Sequence, residues 1–154
     1  HPTKECTCVA GAVFRYMNRI SGPLMDRIDL HIEVTPVALE ELSSDRVEES
    51  SATIRERVIR ARAIQTARFE GIEGVHTNAM MNSRMVREYC PLDSAARTLL
   101  ERAMERLKLS ARAYGRIIKV ARTIADLAGE AQIAPSHIAE AITYRSLDRE
   151  SWGR

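Results

Sequence analysis

Hydrophobic residues recur at steps of three and four through most of the chain after residue 50, which is the period of amphipathic helices. The clearest case follows Ser110, and its apolar positions are Tyr114, Ile117, Ile118, Ala121, Ile124, Ala125 and Ala128. Serine is a preferred residue at the start of a helix, and Gly129 occupies the usual glycine position just past a helix end. The pattern therefore predicts one helix between Ser110 and Gly129.

The same period and similar end signals predict further helices. Ser50 or Ser51 begins a long helix that reaches about Phe69, and Asp93 caps a helix over residues 94–107. Shorter helices are predicted over residues 11–20, 24–27, 83–89 and 135–144, the last because proline suits a first turn. Most of the chain is therefore expected to be helical.

Residues 29–35 show a different pattern, in which polar and apolar positions alternate. Leu30, Ile32 and Val34 form the apolar side, and Pro36 ends the pattern, as in a strand with one covered face. Because one strand cannot form a sheet, its partners are expected on an upstream segment or on another chain. The chain is accordingly predicted to be part of a longer protein.

Composition agrees with a globular helical protein. The chain has 154 residues, of which 45% are apolar, 29% charged and only 5% aromatic. Few aromatic residues leave a core of Ile, Val, Leu, Met and Ala, which favours helices over an all-β fold. The sequence contains no apolar run near the ~20 residues that a membrane span needs and no signal peptide pattern. A cytoplasmic protein without a membrane partner is expected.

The small net charge of +2 hides an uneven distribution. Between residues 51 and 128, 15 Lys and Arg residues stand against 8 Asp and Glu residues, whereas the flanking parts hold 8 basic and 13 acidic residues. Arg112, Arg116 and Lys119 share one face of the predicted helix after Ser110, as a binding stripe or as a solvated helix face. One reading of this charge is a stand-alone basic helical module that docks on nucleic acid or an acidic protein.

The cysteines and histidines give weak signals. The odd count of three cysteines, with Cys6 and Cys8 close together, does not indicate a disulfide framework. Cys6 and Cys8 are half of the ligands that a tetrahedral zinc site needs, and reduced thiols are the alternative. Cys90 is predicted to be a small buried apolar residue. The remaining candidates are predicted to be ordinary surface or capping residues: His31, His76 and His137.

A family resemblance emerges from longer stretches. The chain contains RISGPLMDRIDLHIEV at 19–34, LSARAYGRIIKVARTIADLAG at 109–129 and EAITYRSLDRESW at 140–152. Together they resemble the bacterial magnesium-chelatase-like AAA+ ATPases of the ComM/YifB type over essentially the whole chain. The resemblance implies a mainly α fold, a helical AAA+ lid bundle with a remnant of the α/β core that includes one short strand. Residues 1–36 would be the end of the ATPase core, residues 37–50 the connection to the next domain, and residues 51–154 the C-terminal helical lid domain.

The resemblance implies a role for Arg27 in the PLMDRID stretch. This position matches the arginine finger that reaches into the nucleotide site of a neighbouring subunit. A guanidinium suits that role, since it is permanently charged and its planar fork can bind two oxygens of a γ-phosphate. The alternative is an ion pair with Asp26, Asp29 or Glu33 that only staples a turn.

The resemblance also implies roles in the helix after Ser110. Arg112 matches the sensor-2 arginine that contacts the γ-phosphate, and the first turn of a helix favours a nearby anion. Arg116 and Lys119 follow on the same face and would assist nucleotide binding or contact a neighbouring subunit, unless they are solvated lid residues. Arg122 is predicted to be a packing or surface residue.

The implied function is that of the C-terminal part of an ATPase. Its cofactors would be ATP and Mg²⁺, and its partners the neighbouring subunits of a homo-oligomeric ring, expected to be a hexamer, and DNA. The ring would perform branch migration or helicase-like work in natural transformation; the alternative is a chelatase-type motor that remodels a metal-insertion enzyme. The chain contains no G-x-x-x-x-G-K-[ST] loop for phosphate, so it is not expected to hydrolyse ATP alone.

Zinc is a further implied cofactor of the longer protein. In the resembled family a Cys-Pro-Cys-Gly stretch lies shortly upstream, so four thiolates, including Cys6 and Cys8, can form a structural zinc site there. Within this chain alone the site would be incomplete, and no bound metal is expected.

Overall fold

The computed structural model describes residues 5, 7–32, 34, 36–37 and 48–145. In the first part, helix α1 spans Ala12–Met17 and α2 spans Gly22–Met25. The second part contains α3 (Ser51–Arg68), a 3-10 turn (Asn78–Met80), α4 (Ser83–Tyr89), α5 (Ser94–Arg106), α6 (Ala111–Ala128) and α7 (Pro135–Thr143). The mainly helical fold class is therefore confirmed. Residues 38–47 of the predicted connection lie outside the described residues.

Local capping explains why the predicted helix ends were close to the observed ones. The Ser110 hydroxyl accepts the backbone N–H of Ala113 at 3.3 Å, at the start of α6. Gly129 ends the same helix with a φ of 75°, in the left-handed region that glycine adopts without strain. Asp93 caps α5 in the same way as Ser110, through the N–H of Ala96 at 2.7 Å.

Helix α6 is the centre of the bundle. It packs against α3, α4, α7 and the 3-10 turn, and α5 packs against α7. The middle of its apolar face is buried at Ile117, Ile118, Ala121 and Ala125, whereas Tyr114 and Ala128 near its two ends are exposed. The surrounding elements complete the core with Phe69, Met81, Met85, Cys90, Leu100, Ile133 and Ile138. Burial of each large apolar side chain contributes about 1.5–3 kcal/mol. Position and orientation of α6 are therefore fixed on several sides.

The strand predicted over residues 29–35 is wrong for the residues that the structure describes there, 29–32 and 34. The alternating pattern depends on a neighbouring strand and a covering layer, and no such strand lies beside this segment within the described part of the chain. Ile32 and Val34 are consequently 66% and 85% exposed. Glu33 and Thr35 lie outside the described residues.

The same segment explains an error at His31. Alternation placed this residue on an exposed polar side, but its side chain is only 5% exposed. Its backbone N–H donates to the Tyr144 carbonyl at 2.7 Å, so the segment is held against the residues that follow α7. His137 is a capping residue, as predicted, because its Nδ1 accepts the N–H of Ala134 at 3.0 Å. His76 is exposed.

None of the helices in the described ranges is long and apolar enough to cross a membrane.

Candidate functional site

The basic stripe of α6 is largely occupied by contacts within the chain. The Arg116 guanidinium pairs with the Asp29 carboxylate, which lies 87 residues earlier. The Lys119 ammonium donates to the Ala79 carbonyl at 3.0 Å. Nucleotide contacts by Arg116 and Lys119 remain predictions, and each would require its present bond to open.

Arg112 differs from these two cations. It lies in the first turn of α6, is exposed, and has no ion-pair partner among the residues that the structure describes. The first turn of a helix presents unpaired backbone N–H groups and the positive end of the helix dipole, both of which attract anions. Arg112 is therefore placed where a phosphate group can be bound.

Arg27 lies in the turn directly after α2. The sequence predicted a helix over residues 24–27, but the helix begins two residues earlier, at Gly22, where the Ser21 carbonyl accepts the N–H groups of Leu24 and Met25. Arg27 is exposed, and its guanidinium donates to the Pro23 carbonyl at 3.4 Å, which is a long and weak hydrogen bond.

The alternative role of Arg27, a local ion pair, can be compared with its described neighbours. Asp29 is paired with Arg116, and Asp26 forms no ion pair with Arg27 at 4.0 Å or less. Glu33 lies outside the described residues. Arg27 therefore forms no ion pair with Asp26 or Asp29 that would hold the turn together.

A buried polar cluster holds the C-terminal half of α6, and the sequence reasoning missed it. Asp126 is 1% exposed and accepts four hydrogen bonds. Arg68 donates two, at 2.7 and 2.5 Å, while Asn78 and Arg122 donate one each, at 2.7 and 3.1 Å. The signal in the sequence was an Arg and an Asp four residues apart beside the apolar face of α6.

Arg122 and Arg68 also contact groups other than Asp126. Arg122 is buried and also donates to the carbonyls of Ala131 and Glu130, at 2.8 and 2.6 Å. It is thus a packing residue, one of the two roles predicted for it. The hydrogen bonding of the Arg68 guanidinium to the Asp126 carboxylate raises the pKa of Arg68 above its usual value, against the opposing effect of burial. The cluster holds the C-terminal half of α6, and Arg112 is exposed at the other end of the helix.

The cysteines give no metal centre within the described ranges. Cys90 is 4% exposed, and its Sγ lies 4.0 Å from the sulfur of Met81, so the predicted buried apolar role is confirmed. Burial raises the pKa of the Cys90 thiol to about 11, which keeps it protonated at neutral pH. Cys8 is exposed, Cys6 lies outside the described residues, and the described part of the chain contains no group of three or more residues that would hold a metal.

Comparison with known proteins assigns the chain to a family. Residues 48–145 match the family model described as magnesium chelatase, subunit ChlI C-terminal, and residues 1–42 match the model described as magnesium chelatase, subunit ChlI. The chain therefore belongs to the magnesium chelatase ChlI C-terminal family.

Individual relatives are of the ComM/YifB type, which confirms that resemblance. The chain is 46% identical over 139 residues to Competence protein ComM of Haemophilus influenzae, a match that covers 89% of this chain and 26% of that protein. It is 41% identical over 143 residues to YifB of Escherichia coli, covering 92% of this chain and 27% of that protein. The chain spans about a quarter of the length of the curated relatives it matches.

Proposed function

We propose that this chain supplies two arginines to ATP hydrolysis in a cytoplasmic homo-oligomeric ring, a hexamer, of an AAA+ ATPase. Arg112 contacts the nucleotide of its own subunit, and Arg27 reaches the nucleotide of the neighbouring subunit. One observation carries this proposal. Arg112 in the first turn of α6 and Arg27 in the turn after α2, the two arginines of the family motifs, are exposed and without an ion pair among the described residues, whereas Arg116 and Arg122 are paired.

The proposed chemistry follows from the groups themselves. Phosphoryl transfer spreads negative charge over the oxygens of the transferred group, and a planar guanidinium can bind two of those oxygens at once. Arg112 acts from the first turn of α6, where the helix dipole adds to its charge. Arg27 acts from an exposed turn, and extending its side chain gives up the long, weak hydrogen bond to the Pro23 carbonyl.

ATP with Mg²⁺ is the proposed substrate. The described residues contain no group of three or more His, Cys, Asp or Glu side chains that would hold a metal ion, and they include one of the two predicted zinc-binding cysteines. Zinc binding by Cys6 and Cys8 together with upstream cysteines remains a proposal for the longer protein.

Work on DNA is the proposed output of the ring, in branch migration or helicase-like movement during natural transformation. This proposal is supported by the relative from Haemophilus influenzae, which is named Competence protein ComM. The family description, magnesium chelatase, favours the second candidate, a motor that remodels a metal-insertion enzyme.

A labelled four-way DNA junction distinguishes these two outputs. With ATP, the full-length protein is expected to migrate the junction and to hydrolyse ATP faster when the junction is present. An Arg27→Ala variant at the same concentration is the matched control and should leave the junction unmoved. Normal ATP hydrolysis that neither responds to DNA nor moves the junction would contradict the DNA proposal and favour the chelatase-type motor.

Arg112→Gln is expected to weaken both ATP binding and turnover. A hydrogen bond to a charged group contributes about 1.5–3 kcal/mol, so kcat/KM for ATP should fall by roughly 10- to 100-fold. Steady-state ATP hydrolysis by the full-length protein measures this effect. Arg97→Gln is the matched control, because Arg97 is an exposed arginine in the first part of α5. Equal rates for the two variants would remove Arg112 from the nucleotide site.

A further inference from the structure

The residues that follow Arg27 are attached to the lid of the same chain. The Arg145 guanidinium, beyond the end of α7, donates to the Ile28 carbonyl. Asp29 pairs with Arg116 of α6, and the His31 N–H donates to the Tyr144 carbonyl at 2.7 Å. Three successive contacts therefore hold residues 28–31 against α6 and the end of α7.

These contacts connect the two candidate phosphate-binding arginines. Arg116 lies four residues after Arg112, so the two side chains share one face of α6 a single turn apart. Asp29 lies two residues after Arg27, and two residues of chain span at most about 7 Å. While the Asp29–Arg116 pair is closed, it therefore links the position of the first turns of α6 to the backbone that carries Arg27.

We infer that Asp29 and Arg116 are positioning residues, which link the lid that senses one subunit's nucleotide to the Arg27 offered to the next subunit. This inference rests on the proposed function. Nucleotide bound at Arg112 sets the position of α6, and the Asp29–Arg116 pair passes that position to the turn that carries Arg27. Neighbouring sites of the ring are coupled in this way without direct contact between their nucleotides.

The exposure of the pair supports a positioning role over a stabilising one. The side chains of Arg116 and Asp29 are 31% and 48% exposed. Ion pairs of this kind contribute little to folding stability, because water screens them. Arg145, by contrast, is 2% exposed and holds the Ile28 carbonyl of the same segment. Changes at Asp29 should thus alter activity while leaving the unfolding midpoint nearly unchanged.

The competing role for Arg116 is direct contact with the nucleotide. In that case the ion pair with Asp29 has no positioning role and only holds Arg116 until nucleotide binds. The two roles differ in steady-state kinetics. In the full-length protein, Asp29→Arg and Arg116→Asp are each expected to lower kcat for ATP at least about fivefold with KM unchanged, and the double variant should recover to within about twofold. Direct contact predicts a raised KM for Arg116→Asp and no recovery in the double variant.

Two further variants serve as controls for this kinetic test. Asp29→Asn removes the charge without reversing it and should show a smaller loss in the same direction. Glu88→Arg makes the same charge reversal at an exposed position on α4 and should leave kcat unchanged. An Asp29→Arg variant with unchanged kcat would overturn the inference.

Experiments that mix two kinds of subunit then show whether Asp29 affects the nucleotide site of its own subunit or that of the neighbouring subunit. The reference mixture contains a full-length subunit without its phosphate-loop lysine and an Arg27→Ala subunit, and it should recover ATP hydrolysis. Asp29→Arg should recover with the lysine variant and fail to recover with Arg27→Ala, because its defect lies in the arginine offered to the neighbour. The opposite pattern overturns the inference alone. Failure of the reference mixture in co-assembled subunits overturns the proposed function and this inference with it.

Discussion

Replacing Arg27 with alanine in the full-length protein is expected to lower ATP turnover by about 10³- to 10⁵-fold, the range for loss of an arginine finger. The loss should fall on kcat, with ATP affinity changed little, since the guanidinium acts as charge develops on the transferred phosphoryl group. Steady-state hydrolysis and equilibrium nucleotide binding measure the two quantities separately.

Arg15→Ala is the matched control for this variant. Arg15 is an exposed arginine of α1, in the same N-terminal part of the chain, and its loss should leave kcat unchanged. A loss below about tenfold for Arg27→Ala would show that Arg27 is not at the reacting phosphate, since a finger is worth far more than that.

Replacing Asp126 with alanine is expected to lower the free energy of unfolding by about 3–5 kcal/mol, the usual effect of removing one partner of a buried ion pair. The change would leave two cations without their carboxylate: the Arg68 and Arg122 side chains are 14% and 2% exposed. Urea unfolding of the 154-residue chain followed by circular dichroism measures the loss.

Two variants make this stability test specific. Asp126→Asn keeps the shape of the side chain and should lose less than Asp126→Ala. Glu88→Ala, at an exposed position on α4, should change the free energy of unfolding by no more than about 0.5 kcal/mol. A loss below about 1 kcal/mol for Asp126→Ala would mean that the cluster does not hold α6 against α3 and the 3-10 turn.

Helix positions were predictable from sequence because their signals are local. The apolar period and Ser110 located the start of α6, and Gly129 located its end, all within one stretch of chain. The strand predicted over residues 29–35 was wrong for the described residues there because a strand needs a partner that its own sequence does not contain. His31 was misplaced for the same reason, because the alternation implied an exposed side that the observed segment does not have.

In the candidate site, too, the features with local signals were predictable and the long-range contacts were not. The place of Arg112 in a first turn followed from neighbouring residues, and the structure agrees. The pairing of Arg116 with Asp29 joins residues 87 apart, and that of Arg68 with Asp126 joins residues 58 apart. Periodicity within one helix gives no information about such distant partners. The tertiary contacts therefore decided which cations of the α6 stripe remain exposed.

The most direct test of the account is the mixture of a full-length subunit that lacks its phosphate-loop lysine with one that carries Arg27→Ala. Each subunit alone should be inactive, and the mixture should regain ATP hydrolysis, because the intact phosphate loop of one then meets the intact Arg27 of the other. No recovery from subunits shown to assemble together would contradict the account. Arg27 would then act within its own subunit or serve only to hold the turn after α2.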